Sequence, residues 1–220
     1  MLKLYSYFRS TAAYRVRLAL NLKGLDYDVI PVHLLRDGGE QKAEEYLGIN
    51  PTGLVPTLEL TSEDADSTYL GQSIAILEYI EERYPEPSLL PKDPIARAKV
   101  RGLSQAIACD MHPLNNLRVL KYLTGEMGLS NEKKLDWYQH WITTGFSSIE
   151  KILSDDSETG LFCHGDQASF ADCCLIPQIY NAERFDCPMD DYPTIRRIND
   201  HCKSLNAFIN ADPATQPDAE

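Results

Sequence analysis

The stretch Leu2-Lys3-Leu4-Tyr5-Ser6-Tyr7-Phe8-Arg9-Ser10-Thr11-Ala12-Ala13-Tyr14-Arg15-Val16-Arg17-Leu18-Ala19-Leu20 decides how the chain is read. Leu2 to Tyr5 alternates as a half-buried strand does. Ala12, Val16, Ala19 and Leu20 then recur at the spacing of one helix face, up to Gly24, a natural helix stop. The short turn Arg9-Ser10-Thr11 joins strand to helix and sets two hydroxyls at the helix N-terminus. Tyr27-Asp28-Val29-Ile30-Pro31-Val32 reads as a second strand, and a strand-helix-strand order with a helical crossover predicts parallel pairing.

Beyond a charged, Gly-bearing loop from Arg36 to Glu40, Val55-Pro56-Thr57-Leu58-Glu59-Leu60 reads as a third strand with a proline near its start. Ser67-Thr68-Tyr69-Leu70 is expected to form a short edge strand, and Ile76, Leu77, Ile80 and Tyr84 mark a helix that ends before Pro85. The order β-α-β-α-β-β-α fits a thioredoxin-like α/β domain over residues 1–85. Residues 86–94, rich in proline, read as a linker. From 95 to 220 the signals are helical, over Ile95 to Leu123, Glu132 to Leu153, Ser169 to Glu183 and Thr194 to Phe208, predicting an all-helical second domain. Ser169-Phe170-Ala171-Asp172 has the pattern of a capping box, a folding signal rather than a catalytic one. The tail from Asp212 to Glu220 has turn formers and charge but little to bury, so disorder is expected there.

With 220 residues, 43% hydrophobic and 25% charged, the chain can bury a substantial core without staples. Its formal charge of −12 repels phosphate backbones and anionic lipid, so neither nucleic acid nor a membrane is expected as a partner. No apolar run approaches the roughly 20 residues needed to span a bilayer, and the first six residues lack the apolar stretch of a signal peptide. The expected compartment is the cytoplasm. The six cysteines, Cys109, Cys163, Cys173, Cys174, Cys187 and Cys202, have the spacing of neither a disulfide framework nor a zinc site, so reduced thiols and no metal are expected.

Free amides and the positive end of the helix dipole suit the Ser10 turn to an anion. Thioredoxin-like redox proteins would carry Cys-x-x-Cys there; this chain has no cysteine before Cys109, which excludes dithiol chemistry. A hydroxyl can instead donate to a thiolate brought by a ligand. Lowering a thiol from about 8.5 by two units needs roughly 2.7 kcal/mol of anion stabilisation. The dipole supplies about 0.3–1 kcal/mol and a hydrogen bond to a charged group about 1.5–3 kcal/mol, so the hydroxyl must do most of it. The alternative is that Ser10 or Thr11 merely caps the helix. Two further features bear on the choice. A cis peptide at Val55-Pro56 would leave backbone groups to pair with a peptide-like ligand, and Gly71-Gln72-Ser73 opens a helix whose amides and hydroxyl suit a carboxylate.

The run from Tyr5 to Leu20, with Asn50-Pro51, Val55-Pro56-Thr57-Leu58, Gln72-Ser73, Pro177-Gln178 and Asn181-Ala182-Glu183-Arg184-Phe185, resembles the zeta-class glutathione transferases over nearly the whole chain. The resemblance implies the glutathione transferase fold, glutathione as cofactor and a homodimer. It also implies that Ser10 orients and activates the glutathione sulfur with Thr11 and Arg9 in support, that Val55 beside Pro56 supplies backbone contacts, and that Gln72 and Ser73 hold the γ-glutamyl end. Asn115 and Asn116 match positions where the family's helical domain reaches the ligand. The family's Ser-Ser-Cys is here Ser10-Thr11-Ala12, so the thiol of that pattern is absent. Arg9, Arg118 and Arg184 are candidates for a small maleyl dicarboxylate, since a guanidinium binds a carboxylate bidentately. Arg15 and Arg17 are expected to be structural, through salt bridges or a domain interface.

The activity so implied is glutathione-dependent cis-trans isomerisation of maleylacetoacetate to fumarylacetoacetate, in tyrosine and phenylalanine breakdown. A thiolate adding to the cis double bond makes it single, rotation follows, and expulsion of sulfur leaves the trans product, with arginine stabilising the charge that develops. Three alternatives stay open: the same chemistry on maleylpyruvate, conjugation of small electrophiles by a general transferase, and a non-catalytic glutathione-binding protein.

Overall fold

The computed structural model describes residues 1–61 and 66–220. In chain order it forms β1 (Leu2–Ser6), α1 (Thr11–Leu22), β2 (Asp28–Pro31), α2 (Glu44–Ile49), β3 (Thr57–Leu60), β4 (Thr68–Gly71), α3 (Ser73–Arg83), α4 (Pro94–Gln105), α5 (Leu117–Thr124), α6 (Asn131–Asp155), α7 (Phe170–Arg184), α8 (Pro193–Lys203) and α9 (Asn206–Ala211). These fall into two compact units, Met1–Leu89 with Ser204–Glu220, and Leu90–Lys203.

The first unit is built on a four-stranded sheet of order β2-β1-β3-β4. β1 runs parallel to β2, with Leu4 opposite Val29, and antiparallel to β3, with Leu4 opposite Leu58. β4 pairs antiparallel with β3 at the edge. The helix between β1 and β2 gives the parallel pair its crossover, as the periodicity predicts. Helix α1 ends in the expected way: Gly24 takes a φ of 65°, and the amides of Gly24 and Leu25 close onto the carbonyls of Asn21 and Leu20.

Helix α1 is buried on nearly every side, from Thr11 and Ala13 through Leu20, so an amphipathic stripe cannot describe it. Helix α3 covers one flank and α9 another. Asn21 Nδ2 donates to the Ala207 carbonyl (3.0 Å) and Arg17 Nε to the Ala211 carbonyl (3.0 Å), tying α1 to α9. The expected second domain of 95–220 is therefore corrected at its end: Ser204–Glu220 packs with the first unit because α1 has a flank to cover. The tail from Asp212 to Glu220 is not the disordered segment its composition suggests. Asp212 caps a single turn over Pro213–Thr215, and Gln216 Nε2 donates back to the carbonyls of Asn210 and Asp212.

The second unit is helical throughout its described elements. The single helix expected over Ile95 to Leu123 is broken after Gln105 by a π-helical turn, Ala106–Met111, and a tight turn, His112–Asn115, in which Pro113 has no amide to continue the ladder. The helix expected over Thr194 to Phe208 is likewise two, α8 and α9, one in each unit. Helix α7 supplies the interior, with Phe170, Cys173, Cys174, Leu175, Ile176 and Ile179 all buried. Its first turn carries the predicted capping box: buried Asp172 accepts from the Ser169 amide and hydroxyl and from the Cys163 amide, each at 2.8 Å.

The far ends of α1 and α3 are joined by a buried ion pair, Lys23 Nζ to Glu81 Oε2 at 2.6 Å. Burial alone would raise the Glu81 carboxyl, but Lys23, the Ser88 hydroxyl and the Leu89 amide hold it below its ordinary value. Glu81→Ala leaves the Lys23 ammonium buried without its counter-charge, and a urea titration at pH 7 is expected to read a loss of roughly 3–5 kcal/mol. A depressed carboxyl stabilises above its unfolded pKa and ceases to as pH falls through the folded one, so the gap between wild type and variant should narrow below pH 4.5.

Candidate active site

The turn after β1 is built by backbone bonds and a helix cap. Ser10 N–H donates to the Tyr7 carbonyl (2.8 Å), and Ser10 takes an extended conformation before α1, where its Oγ accepts the Ala13 amide at 3.2 Å. The capping role weighed against an anion-binding role is thus present. The two are compatible, because an Oγ that accepts from Ala13 still has its O–H to donate. Ser10 and Arg9 are half-buried, whereas Thr11 is 2% exposed. Thr11, the first helical residue, turns its side chain into the interior and leaves Ser10 as the hydroxyl at the turn. The Arg9 guanidinium lies over the Phe8 ring, 4.6 Å from its centre.

The second candidate position adjoins the first through packing. Phe8, Tyr7, Val32, Tyr46 and Val55 form one buried cluster. The Val55-Pro56 bond is cis, and the ladder between β1 and β3 begins only at Thr57, opposite Tyr5. Val55 therefore precedes the paired part of the strand. Its loop is fixed from α2 and just after it: Tyr46 Oη donates to the Leu54 carbonyl (2.7 Å), and Asn50 Nδ2 donates to the same carbonyl (3.0 Å) and to Thr57 Oγ1 (2.9 Å). The Asn50-Pro51 of the sequence pattern thus serves the loop that carries Val55 and Pro56.

At the third position Gln72 stands before α3 with φ 67° and ψ 114°, a backbone conformation that side chains with a Cβ rarely adopt. Ser73, the first helical residue, is buried, and its Oγ accepts from Arg15 Nη1 at 3.1 Å. Arg15 sits one helix inward, 2% exposed, and places a guanidinium behind the N-terminus of α3. Arg15 is expected to be structural, and nothing in its spacing along α1 points to Ser73. Arg17, expected in a salt bridge or domain interface, spends its guanidinium on neutral oxygens within the first unit: Ser6 Oγ and the Phe8 carbonyl (both 3.1 Å) and that of Ala211. Burial pulls it down to about 10, so it stays cationic at neutral pH.

The remaining candidates belong to the second unit. Asn115 is 5% exposed and donates to the Tyr138 carbonyl (3.2 Å); Asn116 caps α5 by accepting the Arg118 amide (3.0 Å). Arg118 is exposed in the first turn of α5, and Arg184 is exposed in the last turn of α7, over the Phe185 ring. Tyr138 of α6 links these ends, since its ring stacks on Phe185 at 3.8 Å while its carbonyl holds Asn115. Burial pushes the thiols of Cys163, Cys173, Cys187 and Cys202 up, that of Cys187 to about 11, which leaves them unsuited to act as nucleophiles at neutral pH. Among the described residues no group of His, Cys, Asp and Glu could hold a metal ion.

The donor set of the first unit fits a peptide-like anion: a hydroxyl at one helix start, main chain beside a cis proline, and a second helix start backed by a buried guanidinium. Residues 9–83 match the family described as Glutathione S-transferase, N-terminal domain. The chain is similar to the maleylacetoacetate isomerase of Rattus norvegicus, 48% identical over 215 residues that cover 98% of this chain and 94% of the relative. It is similar to the holo structure of maleyl pyruvate isomerase, a bacterial glutathione S-transferase of the zeta class, with a TM-score of 0.93 and 40% identity over 99% of this chain and 100% of the other. It is also similar to a maleylacetoacetate isomerase from Methylobacterium extorquens AM1 with bound malonate and GSH, with a TM-score of 0.91 and 42% identity over 99% of each chain.

A positive φ at a residue with a side chain costs about 1–3 kcal/mol, while glycine adopts it freely. Gln72→Gly is therefore expected to raise the unfolding free energy by about 1 kcal/mol, the remainder being offset by the entropy of a glycine in the unfolded chain. A urea titration reads the change, and a less stable variant would show that Gln72 is not strained.

Proposed function

The chain belongs to the glutathione S-transferase family, in its zeta class, and on that premise we propose that it isomerises maleylacetoacetate to fumarylacetoacetate with glutathione. The observation that carries the proposal is the Ser10 hydroxyl, which accepts a helix amide and keeps a proton to donate where the dipole of α1 already favours negative charge. Bound there, glutathione supplies a thiolate that adds reversibly to the cis double bond and is recovered.

The chain's own residues bind, orient and stabilise. Ser10 donates its O–H to the sulfur, a bond to a charged group worth about 1.5–3 kcal/mol. Val55, before the paired part of β3, offers main-chain groups to the peptide portion, with Pro56 fixing its direction. Gln72 and Ser73 receive the γ-glutamyl carboxylate at the start of α3, with the Arg15 charge behind them. Arg9, at the turn, and Arg118 and Arg184, exposed on α5 and α7, are assigned to the two carboxylates and the developing charge of the substrate. Asn115 and Asn116 shape the start of α5 from which Arg118 projects. Thr11, buried, contributes by packing the first turn of α1 rather than by touching the sulfur.

A second reading is favoured by the TM-score of 0.93 to a maleyl pyruvate isomerase: the same chemistry on a shorter keto acid. The pathway follows from the substrate, tyrosine and phenylalanine breakdown for the first reading. We assign the protein to the cytoplasm as a homodimer, supported by its acidic charge and its family; no helix among the described residues is long and apolar enough to cross a membrane.

Purified protein with glutathione is expected to isomerise maleylacetoacetate and return the glutathione; unchanged ultraviolet absorbance of the substrate would sink the isomerase reading, and consumption of glutathione would indicate conjugation. The ratio of kcat/KM for maleylacetoacetate and maleylpyruvate separates the two acids. Ser10→Ala is expected to lower kcat by roughly 10²-fold, the usual cost of losing one donor to a developing anion, and to return the bound thiol toward its ordinary pKa of about 8.5.

A further inference from the structure

The chain's last residues reach the Ser10 turn. Asp218 Oδ2 accepts the Phe8 amide at 2.9 Å, across 210 residues of sequence. That amide belongs to the Tyr7–Phe8 peptide, whose carbonyl in turn accepts the Ser10 amide at 2.8 Å. One peptide plane therefore holds Asp218 at its N–H and Ser10 at its C=O. The next carbonyl, that of Phe8, is held by Arg17 Nη2 at 3.1 Å. We propose that Asp218 is a positioning residue for the proposed isomerisation: by fixing the Tyr7–Phe8 peptide it sets where Ser10 presents its hydroxyl to the sulfur.

Asp218 is delivered on a braced segment. Gln216 bonds back to the carbonyls of Asn210 and Asp212, and the Ala219 amide donates to the Gln216 carbonyl at 3.0 Å. On the far side Glu220 lies 3.3 Å from both His33 Nε2 and Arg36 Nη2, and the His33 ring meets Tyr7 edge-on at 4.9 Å. The segment is thus anchored before and after Asp218, and Tyr7 and Phe8 have a fixed partner on each side. A rotation of a peptide plane moves the atoms bonded to it, and a misplacement of about 1 Å at a catalytic group costs up to about 10²-fold in rate. The carboxylate holds this backbone directly and adds its charge to the surroundings of Arg17, which holds the next carbonyl.

The inference rests on the proposed role of Ser10, and its test separates the two. Full-length Asp218→Ala and Asp218→Asn are compared with wild type for kcat and KM on maleylacetoacetate, for the thiol pKa of bound glutathione read by thiolate absorbance, and for Tm. Asp218→Ala is expected to lower kcat roughly tenfold with KM for the maleyl acid unchanged, and to raise the thiol pKa. Asp218→Asn keeps an acceptor oxygen and is expected to restore both to near wild type. An Asp218→Ala protein that melts lower yet keeps wild-type kcat and thiol pKa overturns the proposal, as the segment is then only a brace; so does an Asp218→Asn protein as impaired as Asp218→Ala. A wild type that lowers the thiol pKa without isomerising the maleyl acid fails the isomerase reading instead, and the thiol titration still decides for Asp218.

Discussion

The first unit depends on one buried cation. The Arg17 side chain lies wholly inside, where an unpaired guanidinium would be prohibitive, and its bonds reach β1 at Ser6, the turn after β1 at Phe8, and the end of α9 at Ala211. Ser6 and Phe8 lie close together in sequence, but Ala211 is 194 residues beyond Arg17, so the charge is fully satisfied only when both ends of the first unit are in place. Asp212 and Asp218 add opposite charge around it and offset part of the desolvation. The arrangement ties the conformation of the Ser10 turn to the packing of α9, so the site is supported from the opposite end of the chain.

A division of labour follows. The small cluster of Tyr7, Phe8, Val32, Tyr46 and Val55 fixes two of the three candidate contact points against each other by packing. Hydrogen bonds from Tyr46 and Asn50 set the loop before β3, and the strained backbone at Gln72 with the Arg15–Ser73 bond sets the start of α3. Each point is held by contacts within the first unit, which keeps the donors in place before anything binds.

What the sequence made legible was local. The β1-turn-α1 unit was readable because its period changes from two to 3.6 across three residues, and the Asp172 box because its partners stand three apart. Ser10 is legible as a cap, and the structure shows that cap, with the Oγ accepting from Ala13 and the O–H left to give. The helical pattern after the linker runs on through Pro113, where the structure breaks it, and the division between α8 and α9 at Ser204 and Leu205 carries neither glycine nor proline. The tail departs from expectation for a different reason: composition counts what a segment can bury by itself, and Asp218 and Glu220 find their partners at Phe8 and His33. The sequence names Gln72 and Ser73 as candidates, but the Arg15–Ser73 bond and the positive φ of Gln72 are beyond its reach, since one depends on a helix–helix contact and the other on a backbone angle.

The first unit is discontinuous, with the whole of Leu90–Lys203 inserted between its body and its closing segment. On a ribosome, where the chain emerges from its first residue, the sheet and α1 are made long before Ala207 and Ala211 exist to receive Asn21 and Arg17. During that interval the flank of α1 is uncovered and a cation stands half-solvated inside an unfinished core. The support of the Ser10 turn is thereby completed last in synthesis, and a chain interrupted after its second unit would lack the partners at Ala207, Ala211 and Asp218 to which α1 and the turn are bonded.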